Sequence, residues 1–397
     1  MAAVSPPKYV KHILVSLLSR GYAAYLVGGC VRDIMLGVRP HDWDICTAAL
    51  PEQVMEIFPG SRPTGMKHGT VTVVVGSRSA EVTTFRSEGS YADHRHPDIV
   101  RFVGDLTTDL GRRDFTMNAM AISADGLIAD PFGGTDDIKA RCIRCVGDPE
   151  RRFDEDALRM FRAFRFSSRL GFDIEAGTLA AIKKRAPLAA GLAAERVRDE
   201  TERIILSPRP ETLCQVIELG LLDRYLNGNA RLDPNTFHRI SLLPKRAPER
   251  WSALCRLLLT SHAIASVKNF LTALRLDNRS IRCCCGAAEL LACPCPASAF
   301  EWKRQLSRYG TDSVCCSARC RDALTGTKCY RALRAVLKSG ECCSMNDLAV
   351  TGDDLMRLGL RGRELGEMLN FLLDYVMEYP GNNRRELLLS LASASEE

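Results

Sequence analysis

The sequence predicts an α+β chain, a small mixed-sheet head followed by an all-helical neck, body and tail. Three observations predict it. Short runs rich in Val, Thr and Ile, punctuated by glycine, dominate the first third. From Asp154 onward apolar residues recur near helical spacing. No long low-complexity linker and no internal repeat separates the two regimes. At 397 residues the chain exceeds one ordinary domain, and 46% apolar residues suffice for real cores. The expected boundaries are 1–140 for the head, 141–208 for the neck, 209–325 for the body and 326–397 for the tail.

The elements follow in order. Tyr25-Leu-Val-Gly-Gly reads as a strand ending at a glycine pair, and Cys30 to Leu36 as the helix after it. Trp43 to Cys46, Thr70 to Val75 and Ala80 to Phe85 read as further strands. Ala119 to Ile122 and Leu127-Ile-Ala-Asp-Pro continue the pattern, and Pro131-Phe-Gly-Gly signals a turn. Leu158, Phe161, Phe164 and Phe166 then open the helical region, with Asp154 as its cap. Helices are expected at 189–206, 211–222, 250–259, 265–274 and 365–375.

The net charge of +6 suits a nucleic acid or nucleotide partner without requiring one. Met1 to Lys11 is short and polar, and the apolar run Ile13 to Leu18 breaks too soon for a secretory signal. No apolar stretch reaches the roughly 18–20 residues that span a bilayer. A cytoplasmic chain is expected, its 17 cysteines mostly reduced. No membrane and no protein partner is implied.

The densest chemistry lies in Leu26-Val-Gly-Gly-Cys-Val-Arg-Asp-Ile-Met-Leu-Gly, followed by His41-Asp-Trp-Asp-Ile. Asp42 and Asp44 are one residue apart, and on a strand such residues face one side. Two carboxylates on one side can hold hard cations such as Mg2+, and two ions can clamp the attacking and leaving oxygens of a phosphoryl displacement. Gly28 and Gly29 let backbone amides approach a phosphate at a helix start, with Arg32 in the first turn. Asp-x-Asp or Gly-Gly alone reads as an ordinary loop; their order within twenty residues is the stronger signal.

This segment resembles the signature of the DNA polymerase beta nucleotidyltransferase superfamily. More narrowly, it is similar to class II tRNA nucleotidyltransferases and bacterial poly(A) polymerases. The resemblance implies that Asp42 and Asp44 are catalytic and bind two Mg2+ ions. Glu81 is the candidate third carboxylate, with a structural carboxylate as the open alternative. The block Arg112-Arg-Asp-Phe-Thr-Met-Asn-Ala-Met-Ala also matches the family. It implies nucleotide binding by Arg113, with Asp114 and Asn118 shaping a sugar pocket.

Arg152-Phe-Asp-Glu-Asp-Ala-Leu-Arg-Met-Phe-Arg-Ala-Phe-Arg-Phe comes next. Asp156, Arg159, Arg162 and Arg165 step by three, so Asp156 and Arg159 are expected to point to one spot on a helix. A solvated salt-bridged face is the bland reading. Cytosine and adenine each present an amine beside a ring-nitrogen acceptor. A carboxylate beside a guanidinium complements both and mismatches uracil and guanine. The family uses this block for that selection, which maps onto Glu155, Asp156 and Arg159, with Arg162 and Arg165 as further nucleotide contacts. Glu195 to Leu206 resembles the last neck block and is assigned a structural role. The resemblance is detailed over residues 22–206 and weaker over Thr351-Gly-Asp-Asp-Leu and the helix after it, which resemble a tRNA-gripping tail.

The implied activity is addition of CMP, CMP and AMP, from CTP and ATP, to the 3′ end of tRNA. The alternatives are a poly(A) polymerase, a CC-only or A-only enzyme, or a catalytically silent RNA-binding protein. Poly(A) polymerases usually carry a Gly-Arg-Arg-Phe stretch where this chain has Thr64-Gly-Met-Lys-His-Gly-Thr, and His68 there reads as structural or as lining the pocket. Thr84 to Pro97 reads as a mobile charged loop that could help one pocket change from C to A. Eleven cysteines lie between Cys283 and Cys343, at spacings that match no zinc ribbon or ferredoxin run. No metal is expected there.

Overall fold

The computed structural model describes residues 5–88, 100–228 and 232–394. Its contacts divide the chain into two units, Met1–Glu200 with Leu219–Leu222, and Thr201–Glu218 with Asp223–Glu397.

The first unit opens with helix α1 (Lys8–Ser19), which buries Val10, Ile13, Leu14 and Leu17 along one stripe. Strand β1 (Ala24–Val27), helix α2 (Gly29–Met35), strand β2 (Asp44–Thr47) and helix α3 (Pro51–Ile57) follow. Then come β3 (Arg62–Gly65), β4 (Thr70–Val75), β5 (Arg78–Thr84), β6 (Arg86–Glu88) and β7 (Val100–Phe102). Helix α4 (Leu106–Gly111), strands β8 (Ala121–Ile122) and β9 (Ile128–Ala129) and helix α5 (Gly134–Lys139) complete the head. Among the described residues the main sheet has seven strands in the order β3-β4-β5-β2-β1-β8-β9. It is mixed: β2 runs parallel to β5, while β1 is antiparallel to both β2 and β8. Alternation sets its faces, with Val71 and Val73 of β4 and Val82 of β5 fully buried.

The remainder of this unit is helical except for one short parallel pair, β10 (Cys142–Ile143) with β11 (Asp173–Ile174), so the stretch 141–208 is not wholly helical. Helix α6 (Pro149–Glu155) is capped by Asp148, whose side chain accepts from the Glu150 amide. Helix α7 (Leu158–Leu170) buries Leu158, Phe161, Phe164 and Phe166. Helices α8 (Ala176–Arg185) and α9 (Ala194–Ile205) follow. Two expectations are corrected here. Asp154 caps no helix start but lies inside α6. Asp156 is not on α7: it sits at the break between α6 and α7, with extended φ −144° and ψ 101°.

The segment 84–97 needs a third correction. Arg86–Glu88 form a strand, paired antiparallel with Val100–Phe102, rather than a loop. Residues 89–97 lie outside the described residues.

The second unit contains α10 (Thr212–Glu218), α11 (Pro234–His238), α12 (Ala247–Thr260), α13 (Val267–Ala273) and α14 (Asn278–Ala292). The long α15 (Ala299–Thr325) is interrupted at Gly310, and α16 (Cys329–Ser339), α17 (Gly352–Arg357), α18 (Gly362–Glu378) and α19 (Arg385–Ala394) follow. Arg250 is fully buried and donates to the Ile205, Ser207 and Leu243 carbonyls at 2.6, 2.8 and 3.0 Å, which satisfies its charge inside the core. No described helix is long and apolar enough to cross a membrane.

Candidate active site

The turn from β1 into α2 builds one wall of the site. Gly28 adopts φ 73° and ψ −134°, a conformation open to glycine alone. A Cβ there would also lie 2.9 Å from Arg113 Nη1, so the bare backbone lets this guanidinium rest on the turn. Arg113 is held by Asp109, with Nη2 3.2 Å from Oδ2. Its Nε is buried and, among the described residues, has no hydrogen-bond partner, a donor left for a ligand.

Across the sheet, Asp44 opens β2 and is the register partner of Glu81 on β5. Asp42 lies in the bend before β2, so the strand argument that put both aspartates on one face covers only Asp44. The Asp42 side chain is 86% exposed and 3.0 Å from His41 Nδ1. Burial and then the Glu81 carboxylate push Asp44 above the ordinary carboxylate range, Arg113 opposes this, and Asp42 adds to it. Three hard oxygen donors that repel one another suit a divalent cation, whose charge relieves the repulsion. Among the described residues no three His, Cys, Asp or Glu side chains form a cage by themselves. A Mg2+ shell completed by phosphate oxygens and water requires none.

A second wall is one connected network. Arg32 Nη1 donates to Asn118 Oδ1 at 2.8 Å, and Asn118 Nδ2 donates to Asp114 Oδ1 at 3.1 Å. Arg162 Nε donates to Asp114 Oδ2 at 2.8 Å. Burial alone would raise Asp114, but Arg162, Asn118 and the Phe115 amide outweigh it and hold the carboxyl at about 2. Arg32, Arg162 and Arg165 gather around the Phe166 ring at 5.3, 5.6 and 4.3 Å. Arg165 also pairs with Glu200 of α9 at 2.8 Å.

The third wall is the α6–α7 break. Asp156 Oδ1 accepts from the Leu158 amide at 3.1 Å, and Oδ2 accepts from Arg196 Nη2 at 3.0 Å. Arg159 donates to Glu155 Oε2 at 2.7 Å and to the Arg112 carbonyl at 3.0 Å. Asp156 and Arg159 thus each carry a side-chain bond to a further residue, Arg196 and Glu155 respectively, and both line one cavity.

These walls enclose a cavity of about 630 Å3. Gly28, Gly29, Arg32, Asp44, Arg113, Asp156, Arg159, Arg162 and Arg165 all line it, and so does His68. Asp42 and Glu81 do not line it. Among the described residues nine arginines face the space against Asp44, Asp114 and Asp156, a strongly cationic lining suited to a polyphosphate.

Residues 24–144 match the model of the poly A polymerase head domain, and residues 245–392 that of tRNA nucleotidyltransferase domain 2. The chain is 39% identical over 352 residues to a CCA-adding enzyme of Geobacillus sp. (strain WCH70), covering 87% of this chain and 86% of that one. The chain belongs to the CCA-adding enzyme family. A second relative, the CCA-adding enzyme of Limosilactobacillus fermentum, is 35% identical over 96% of this chain and 95% of its own. The crystal structure of the Bacillus stearothermophilus CCA-adding enzyme in complex with CTP superposes with a TM-score of 0.83 at 35% identity, covering 99% of both chains. That of the Thermotoga maritima CCA-adding enzyme complexed with tRNA, at 21% identity and a TM-score of 0.69, shares the fold. Nucleotidyltransferases of the CCA-adding kind generally use a divalent metal.

Several residues that line the cavity of this CCA-adding enzyme family member escaped the sequence reading. Arg196 was assigned with its block to a structural role, yet it faces the cavity and holds Asp156. Arg169 was legible as the next helical step, four residues beyond Arg165. Arg86 and Arg112 also line the space. Arg112 adjoined an expected site residue, and Arg86 lay in the charged segment expected beside the pocket, though it was not singled out as a contact.

Proposed function

We propose that this chain adds CMP, CMP and AMP in turn to the 3′ end of tRNA, using CTP and ATP and copying no nucleic-acid template. The observation that carries the proposal is the convergence of Asp44, the Gly28–Gly29 turn and the Asp156–Arg159 region on one arginine-lined cavity. A phosphate-handling wall and a base-reading wall thus share one space. The relative of known structure with CTP supports the same reading.

Asp42 and Asp44 would hold two Mg2+ ions, with Glu81 beside Asp44 as the third carboxylate. The bound ions supply charge neutralisation at the attacking and leaving oxygens. Arg32, Arg113, Arg162 and Arg165 hold the triphosphate, and Gly28 and Gly29 let it approach the backbone. The Asp114–Asn118 pair, tied to Arg32 and Arg162, keeps those guanidiniums fixed beside the sugar.

Asp156 accepts from the exocyclic amine of cytosine or adenine, and Arg159 donates to the adjacent ring nitrogen. A carboxylate offers about four acceptor sites, so the bonds from Leu158 and Arg196 leave Asp156 able to take the amine. Uracil and guanine present a carbonyl to Asp156 and an N–H to Arg159. Each buried mismatch costs about 1–3 kcal/mol, enough for discrimination when two occur together.

In the same reading, residues 1–140 form the catalytic head, 141–208 the neck that selects the nucleotide, and 209–325 the body. Residues 326–397 grip tRNA, and the protein works in the cytoplasm. The test is extension of tRNA lacking its last three nucleotides, with each labelled triphosphate supplied singly and together, followed by product sequencing. CCA as the sole complete product is expected. A run of adenylates, or arrest at CC with ATP present, contradicts the proposal.

A further inference from the structure

The cysteine-rich stretch takes no part in the chemistry above. Where α14 packs on α15 in the second unit, the Sγ atoms of Cys283 and Cys316 lie 3.5 Å apart. Both residues are buried and, with Ala287, form a small apolar cluster. Both also line a cavity of about 480 Å3, together with Glu249, Arg279, Asp312 and Arg319. The pair is therefore walled by protein on one side and faces room for a small solute on the other. Among the described residues no group of three or more His, Cys, Asp or Glu side chains is placed to hold a metal ion.

The two sulfurs are not equivalent. The sulfur–sulfur contact with Cys316 holds the Cys283 thiol below its ordinary value, against burial and the Asp312 and Glu249 carboxylates, and Arg279 adds to the lowering. The same contact, then burial, pushes Cys316 up. Cys283 is thus the more acidic sulfur of the two. The neighbouring thiols Cys255, Cys284 and Cys320 are pushed up by burial and stay unreactive.

We infer that Cys283 and Cys316 are a modification site, a dithiol that a hydroperoxide oxidises to a disulfide. The Cys283 thiolate attacks one peroxide oxygen, the O–O bond breaks, and the other oxygen leaves with the electron pair and takes up a proton. Cys283 becomes a sulfenic acid. The Cys316 sulfur then attacks the Cys283 sulfur, the S–O bond breaks, and the hydroxyl leaves as water with the Cys316 proton. In sum, two thiols and hydrogen peroxide give one disulfide and two waters: each sulfur loses one electron and the peroxide gains two. The sulfurs need only close from 3.5 Å to a bond of about 2.05 Å. The product ties α14 to α15 across 33 residues, and a thiol reductant reverses it.

The test uses the full chain, first reduced with dithiothreitol and freed of it, then titrated with hydrogen peroxide. Samples are acid-quenched, alkylated after denaturation and digested without reduction. The Cys283–Cys316 linked peptide is expected at doses where the exposed Cys293 is still mostly alkylated, and dithiothreitol removes it. The Cys316→Ser variant traps Cys283 as a sulfenic acid, with several-fold more dimedone adduct than the wild type. Cys283 and Cys316 remaining alkylated at doses that oxidise Cys293, or Cys283 linked to a different cysteine, overturns the inference. The wild-type map decides the matter even if the variant fails to fold.

Discussion

Arg196 Nη2 lies 3.0 Å from Asp156 Oδ2, a pairing across 40 residues that holds the carboxylate proposed to read the base. Arg196 is a positioning residue, acting through Asp156. Arg196→Ala is expected to lower discrimination against UTP by about tenfold, the effect of losing about 1.4 kcal/mol. Thermal stability should change little, because partly exposed ion pairs contribute about 0–1 kcal/mol. Arg196→Lys should restore part of the selectivity. Unchanged base preference in Arg196→Ala, measured as kcat/KM for each triphosphate, contradicts the role.

Asp114 gives the site a pH signature. Its carboxyl sits at about 2 in the fold, against about 3.9 unfolded. A folded value below the unfolded one means the stabilisation is complete above about pH 4 and is lost as pH falls toward 2. The contribution is about 2–3 kcal/mol. Asp114→Asn should therefore be less stable than wild type at pH 7, and the gap should shrink between pH 4 and pH 2. Denaturant melts at several pH values measure it; a constant gap contradicts it.

Gly134 tests the packing beneath the site. A Cβ there would lie 2.2 Å from the Thr116 carbonyl oxygen and 2.9 Å from Met120 Cγ. The first contact is backbone and cannot swing away. Gly134→Ala should cost about 1–3 kcal/mol or more, read as a lowered Tm. A Tm equal to wild type means the Thr116–Asn118 turn is not held as described.

The carboxylates of the phosphate wall should separate function from stability. Asp42→Ala and Asp44→Ala are expected to abolish incorporation, as should chelation of divalent metal in the wild type. Asp44→Asn should leave the metal-free Tm unchanged or raised, because half-buried Asp44 lies opposite Glu81 in the register and its charge is disfavoured there. Near-normal incorporation by either alanine variant refutes the metal assignment.

Much of this was legible in the sequence, for physical reasons. The glycine pair, Asp44, Arg113 and the arginine steps of α7 all line one cavity, because short-range periodicity fixes which side chains share a face. Strands β4 and β5 announced themselves through Val and Thr. Strand β3 did not, since Arg62-Pro-Thr-Gly offers no apolar alternation and lies exposed at the sheet edge. The break at Asp156 was hidden because neither Asp nor Ala157 forbids a helix, and hydrogen bonds to distant residues decide it. The side-chain partners Glu155 of Arg159 and Arg196 of Asp156 were hidden for the same reason, though Asp156 and Arg159 do line one cavity as expected.

The claim that Asp156 and Arg159 select the base without a template is tested most directly by single-turnover incorporation. The measurement compares CTP, ATP, UTP and GTP in the wild type, Asp156→Ala and Arg159→Ala, on tRNA ending before CCA and ending after CC. Arg159→Ala should lose CTP and ATP incorporation far more than tRNA binding, and Asp156→Ala should admit UTP relative to CTP. If both variants keep the wild-type order of nucleotide preference, these side chains do not read the base.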